Sequence, residues 1–298
     1  LRTFINNLKS ELILFLVAMV WGTGFIATKI AVDSGMETYN IMFVRFLIST
    51  ILLYLMLKVR KIKIDRKSYT AGLILGTVLV LAYLTQTYGL YYTTPAKNSL
   101  LTGLSVIFVP YMSHLIFKTK VDKFTFIASV LAFIGMYMLS GNFLESVDGF
   151  NKGDFYTVIC AVLFALHIVI TGYYVNKINT VVLAYVQFLI ATIQSFILAI
   201  YYGQLKAVST HGLLSSLYMG VFCTFVAYTL QIIGQKRVSS STAAVILSLE
   251  VVFATILSIF LGYDDFHPII LFGSVLIFLG IIISETKLDF LFKNKKRK

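Results

Sequence analysis

Apolar residues come in long unbroken blocks along this chain, not with the alternation of a half-buried strand. Charge-free stretches cover 68–96, 98–117, 124–144, 155–176, 178–205, 207–235 and 266–284. Three more blocks, 12–32, 39–57 and 240–260, are each interrupted by one ionisable residue, respectively Lys29, Arg45 and Glu250. A helix needs about 20 apolar residues to cross a bilayer, whereas buried helices of soluble proteins are nearer 10–14. The pattern therefore predicts an all-α integral membrane protein with ten transmembrane helices. Porin-like strands would need short alternating segments. The first block reads as a span and not as a cleavable signal peptide, because it is too long, carries Lys29 and lacks a small-x-small site.

Composition agrees. Of 298 residues, 58% are hydrophobic and 13% are charged, about half the charge of a soluble domain. The net charge of +12 is compatible with nucleic acid or with membrane topology until its distribution is read. With the N-terminus inside, 20 of the 25 Lys and Arg fall on the inner side, which carries +15 against −4 outside and +1 within the spans. That bias over short loops predicts a multi-pass protein of the cell (inner or plasma) membrane with both termini cytoplasmic. The lipid bilayer is then the partner that accounts for the charge, and no nucleic acid is expected. Cys160 and Cys223 fall mid-span and read as packing residues. The four histidines and two cysteines show no metal-ligand spacing, and phosphate-binding and nucleophile-elbow motifs are absent. No cofactor, no metal and no enzymatic activity are expected.

A shift of 145 residues aligns Ala82-Tyr83-x-x-Gln86-x-x-Gly89 with Ala227-Tyr228-x-x-Gln231-x-x-Gly234. It also pairs Leu104 with Leu249, Ser129 with Ser274 and Phe133-Ile134-Gly135 with Phe278-Leu279-Gly280. At nearly the same shift Arg45-Phe46-Leu47-Ile48 faces Gln187-Phe188-Leu189-Ile190. Each half then holds five spans. Five is odd, so the second half enters from the opposite side: residues 1–140 and 154–286 form two inverted five-helix repeats. They are joined by an outer linker at 141–153 and followed by a basic tail at 287–298. Such repeats place a substrate site near the midplane between them and allow alternating access.

The segments Val20-Trp21-Gly22-Thr23-Gly24-Phe25-Ile26-Ala27-Thr28-Lys29 and Phe43-Val44-Arg45-Phe46 resemble the opening of EamA-type proteins of the drug/metabolite transporter superfamily. Thr94-Pro95-Ala96-Lys97-Asn98-Ser99-Leu100-Leu101-Thr102-Gly103-Leu104 and Ser239-Ser240-Ser241-Thr242-Ala243-Ala244, followed by Ser248-Leu249-Glu250, resemble that family's fourth and ninth spans. The chain departs from the pattern at Val251, where Pro is common, at Gly262-Tyr263 and at Phe117-Lys118. The resemblance implies a secondary transporter of small metabolites, with amino-acid export well represented; the alternatives are an importer or exchanger of another small polar solute (a vitamin, a cation or a nucleotide-sugar-like molecule) and a non-transporting membrane protein.

Candidate site residues follow from the cost of polarity in a bilayer. Glu250 is the sharpest, since a mid-membrane charge costs roughly 2.5–3.5 kcal/mol on insertion scales. It reads as a carboxylate coupling H⁺ or another ion, as a ligand for a substrate ammonium, as a structural partner of Lys29 or Arg45, or as a helix-packing acid. The repeat sets it opposite Ser105, on a stripe with Asn98 and Thr102. Lys29 can snorkel outward or bind a substrate carboxylate on the face of Trp21. Arg45 reads as structural, snorkelling or tying its helix to neighbouring carbonyls. Tyr83, Gln86, Tyr228 and Gln231 form a symmetric set that either lines a substrate site or fastens helices together. Trp21 and Phe25 supply an apolar wall. His167 reads as a proton relay or a packing residue, and Gln187 as an interhelical hydrogen-bonding residue. The protein is expected to work as a monomer or a homodimer.

Overall fold

The computed structural model describes residues 2–139, 151–206, 209–266 and 268–286. The tail at 287–298 and most of the linker, 141–150, lie outside the described residues. Every regular element among those described is helical. In order they are α1 (Arg2–Asp33), α2 (Thr38–Val59), α3 (Arg66–Leu90), α4 (Pro95–Gly103), α5 (Ser105–Phe117) and α6 (Lys123–Leu139). The second half holds α7 (Lys152–Tyr174), α8 (Thr180–Tyr201), α9 (Thr210–Tyr218), a π-helical segment (Met219–Val226), α10 (Ala227–Gln235), α11 (Ser240–Leu247), α12 (Glu250–Phe260) and α13 (Ile269–Thr286). Among the described residues, eight helical stretches are long and apolar enough to cross a membrane, counting α4–α5, α9–α10 and α11–α12 as single stretches. Helices α6 and α13 are not among the eight, and they pack against each other.

Helix starts are written locally. Pro95 opens α4, and the Thr94 hydroxyl accepts from the Lys97 amide; 145 residues on, the Ser239 hydroxyl accepts from Thr242 at the start of α11. Asn151 and Asp154 form a capping box on α7. The chain leaves α1, α8 and α12 through Gly35, Gly203 and Gly262, all with positive φ, a conformation that costs glycine least.

The outer surface is apolar, and the largely apolar interior also holds polar side chains. Phe260, Ile197, Leu115 and Leu214 face outward, whereas Asn98, Gln187, Gln231, Asp154 and Thr171 are buried. In a bilayer the outward residues meet lipid, and polar groups must find partners inside.

The two halves interlock. α1 packs on α12 and α10, α2 on α8, α3 on α7 and α8, and α5 on α7. Repeat-related residues meet at the centre of these contacts. The Tyr83 and Tyr228 hydroxyls are 2.9 Å apart, those of Thr50 and Thr192 also 2.9 Å, and the Phe46 and Phe188 rings stack at 5.9 Å. Residues related by a two-fold axis touch each other only near that axis, so these pairs locate it.

Basic and acidic ends are distinct. Lys63 and Lys67 share a surface depression with Tyr173 and Lys177, and Tyr173 also borders Lys120 and Ser239. The opposite end carries the ion pairs Lys206–Glu37 and Lys97–Asp154. α3 begins at the basic end, whereas its counterpart α9–α10 finishes there, so the two run in opposite directions.

Candidate functional site

A cavity lies on the axis, enclosed by both halves. Its wall comes from Trp21, Gly24, Phe25 and Thr28 on α1, Arg45 on α2, and Tyr83 and Gln86 on α3. Thr102 and Ser105 flank the junction of α4 and α5. The second half adds Phe164, His167 and Ile168 on α7, Cys223 on the π segment, Tyr228 and Gln231 on α10, and Leu247, Ser248 and Glu250 around the junction of α11 and α12.

Three interruptions in otherwise continuous helices shape this wall. At Leu104 the ladder tightens, with amides bonding three residues back, Leu104 to Leu101 at 3.3 Å and Ile107 to Leu104 at 3.0 Å. The same happens 145 residues later, Leu249 to Ile246 at 3.2 Å and Val251 to Ser248 at 3.1 Å. Short 3₁₀ turns inside long helices break the regular carbonyl ladder and often mark functional hinges. They place Ser105 and Glu250 at the first position of the outgoing half-helix, where the helix dipole favours a carboxylate. The third interruption is the π segment, whose wide turn is supported by the Thr224 hydroxyl donating to Met219 O at 2.8 Å.

Thr224 in turn holds Arg45, whose Nε donates to its hydroxyl at 3.2 Å. The guanidinium lies 4.0 Å from the Tyr83 ring centroid, a cation–π contact. Arg45 is 3% exposed and forms no ion pair among the described residues. It points into the cavity and does not snorkel, because α2 packs against the π segment. Glu250 is 9% exposed and makes neither a hydrogen bond nor an ion pair among the described residues. Its pairing with Lys29 or Arg45, one of the sequence alternatives, is not formed. One buried guanidinium and one buried carboxyl group therefore face a shared space without contacting each other.

The other candidates separate into two groups. Trp21, Phe25, Tyr83, Gln86, Thr102, Tyr228, Gln231 and His167 line the cavity as a set. Trp21 donates its indole N–H to Cys223 O at 3.0 Å, and its ring packs on Tyr228 at 4.9 Å. His167 Nε2 pairs with Gln187 Oε1 at 3.0 Å. Gln231 has no partner at either amide atom among the described residues. Lys29 and Asn98 lie off the cavity wall. Lys29 forms an ion pair at 3.0 Å with Asp33, one helical turn on, a spacing visible in the sequence. Asn98 donates to Thr157 at 2.8 Å and to Gln86 O at 3.3 Å, tying α4 to α7 and α3. Thr28 and Phe164 were missed as wall residues, although their spacing from Trp21, Phe25 and His167 puts them on the same helix faces. Cys223 and Ser248 carried no such signal.

The cavity is narrow in this conformation. Its free space is about 40 Å³, room for roughly three waters. At the acidic end the halves are joined by Lys206–Glu37 at 2.5 Å, by the Tyr39 amide donating to Gln204 at 2.8 Å and by Lys97–Asp154 at 2.9 Å. At the basic end a vestibule of about 640 Å³ opens between α5, α7 and α11. No group of three or more His, Cys, Asp or Glu side chains that could hold a metal occurs among the described residues.

The profile of the EamA-like transporter family matches residues 8–141 and 151–286. A protein of Archaeoglobus fulgidus described as an uncharacterized transporter is 36% identical over 279 residues, covering 94% of this chain and 86% of that protein. An uncharacterized transporter of Clostridium kluyveri is 23% identical over 93% of each chain. A solved structure that is 17% identical superposes with a TM-score of 0.77, over 95% of this chain and 98% of its own, which shows a shared fold. Two tandem matches therefore fall on the two interlocked halves that enclose the cavity, and the chain belongs to the EamA-like transporter family of the drug/metabolite transporter superfamily, as a membrane transporter.

Proposed function

We propose that this protein is a secondary transporter that exports a small zwitterionic metabolite of the amino-acid class by alternating access. In this reading ten helices form two inverted repeats in the plasma membrane with both termini cytoplasmic, as the charge asymmetry of the loops supports. The observation that carries the substrate class is the Arg45 guanidinium and the Glu250 carboxyl on one cavity wall, neither of them in an ion pair among the described residues. Arg45 receives the substrate carboxylate and Glu250 the ammonium, while Trp21, Phe25 and Tyr228 pack on the remainder. Leaving either charge buried and unpaired is costly, so a zwitterion that satisfies both at once is favoured over a neutral or singly charged solute. Glu250 also serves the coupling: it carries a proton when the ammonium is absent.

The test is counterflow in proteoliposomes with a panel of amino acids, their amides and their deaminated acids. The zwitterions are expected to exchange and the singly charged analogues to fail. Glu250→Gln is expected to insert normally and to abolish net transport, and Arg45→Gln to abolish exchange of carboxylate-bearing substrates. Normal flux through Glu250→Gln would overturn the role given to that carboxylate.

A further inference from the structure

Six buried side-chain atoms lacking hydrogen-bond partners lie between the cavity and the basic end: Gln231 Oε1 and Nε2, His167 Nδ1, Gln187 Nε2, Thr171 Oγ1 and Gln235 Oε1. The five side chains are at most 3% exposed. They are not scattered. His167 and Thr171 are one turn apart on α7, and Gln231 and Gln235 are one turn apart on α10. Gln187 reaches His167 from α8. Buried polar groups are almost always satisfied, and a buried water typically makes about three hydrogen bonds to groups of this kind.

The row has a direction. It starts at His167 and Gln231 on the cavity wall and runs along α7 and α10 toward the vestibule, which is bordered by Val169, Gly172, Tyr173 and Ser240. Between the two spaces stands a thin septum. The Ile168 carbonyl accepts from Gln235 Nε2 at 3.2 Å and from the Ser240 hydroxyl at 3.5 Å. A Cβ at Gly172 would meet the Ser240 hydroxyl, which marks how closely α7 and α11 approach there.

We infer that this row is a water-binding conduit, and that the cavity opens to the basic end along it when α11 separates from α7 at Gly172 and Ser240. The inference rests on the transporter reading for its purpose but not for its test. In a background with Cys160 and Cys223 changed to Ser, Thr171→Cys and Gln235→Cys are exposed, in sealed vesicles, to a small charged methanethiosulfonate added at the basic face. Ala165→Cys, at a fully buried apolar position on α7, is the control. Only a hydrated thiol ionises and reacts, so both test positions are expected to label about tenfold faster than the control, and the adduct at Thr171→Cys to stop flux. Labelling no faster than the control at both positions, while the vesicles still transport, overturns the conduit and leaves the transporter reading intact. Labelling at the expected rate, where the protein without the introduced cysteines moves no solute even before the reagent is added, supports the conduit and overturns the transporter reading.

Discussion

Asp154 joins the two halves at the acidic end, and its removal tests how they are held. The carboxylate is fully buried; Oδ2 accepts from Lys97 Nζ at 2.9 Å and from the Asn151 amide at 2.9 Å. The first contact reaches the start of α4 in the other half, and the second closes the capping box of α7. Breaking a fully buried ion pair by deleting one partner costs about 3–5 kcal/mol. Lys97 keeps 19% of its side chain exposed, which relieves part of that, so about 2–3 kcal/mol is expected for Asp154→Asn. The amide oxygen of Asn can still accept from Asn151. Asp154→Ala also loses the cap and should cost about 1 kcal/mol more. In thermal unfolding of the detergent-solubilised protein, the Asn variant should melt roughly 5–10 °C lower, at about 2–4 °C per kcal/mol for a chain of comparable size. A cycle with Lys97→Met isolates the pair. The double variant leaves no charge buried and should recover a large part of the loss. If the two single effects simply add within about 0.5 kcal/mol, or if Asp154→Asn leaves the melting temperature unchanged, the pair does not hold the halves together.

Two further outcomes follow from packing and charge. Gly76 lies against α8, where an added Cβ would come within 2.6 Å of Gln187 O and 2.9 Å of Ile190 Cβ. Gly76→Val should therefore force α8 away and destabilise by about 1–3 kcal/mol, read as a lower melting temperature; an unchanged one would contradict this close approach. In the loop after α12, burial holds the Asp264 carboxyl above the usual carboxylate range, against hydrogen bonds from Ser258 and Thr94 that pull it down. The folded state then binds this proton more tightly than the unfolded chain. Stability should fall as pH rises from the ordinary Asp range through the raised value and be regained as pH falls. The slope of melting temperature against pH should flatten in Asp264→Asn, and an identical slope would remove Asp264 as its source.

Much of the architecture is legible along the chain because the bilayer imposes it. Length of apolar block, loop charge and the 145-residue shift are properties of sequence alone, and they predicted a two-repeat helical membrane protein before any contact was known. The symmetric tyrosines were legible for the same reason: an AYxxQxxG string repeated at a fixed distance points at an axis, and Tyr83 and Tyr228 meet there. Glu250 was legible as a lone acid in an apolar block.

Which charges share the cavity was decided by packing. Lys29 and Arg45 look alike in sequence, each a single cation inside a span. Lys29 finds Asp33 on its own helix, whereas Arg45 is turned inward by Thr224 and the Tyr83 ring, neither of them near it in the chain. Nor did the sequence disclose the tight turns at Leu104 and Leu249 or the π segment: Leu249 has no proline or glycine beside it, and Gly103 and Gly220 look no different in sequence from the glycines of regular helices. Hydropathy reports only which residues prefer to leave water. The partner each buried polar group finds depends on helices far apart in sequence, and that was settled only when the two halves interlocked.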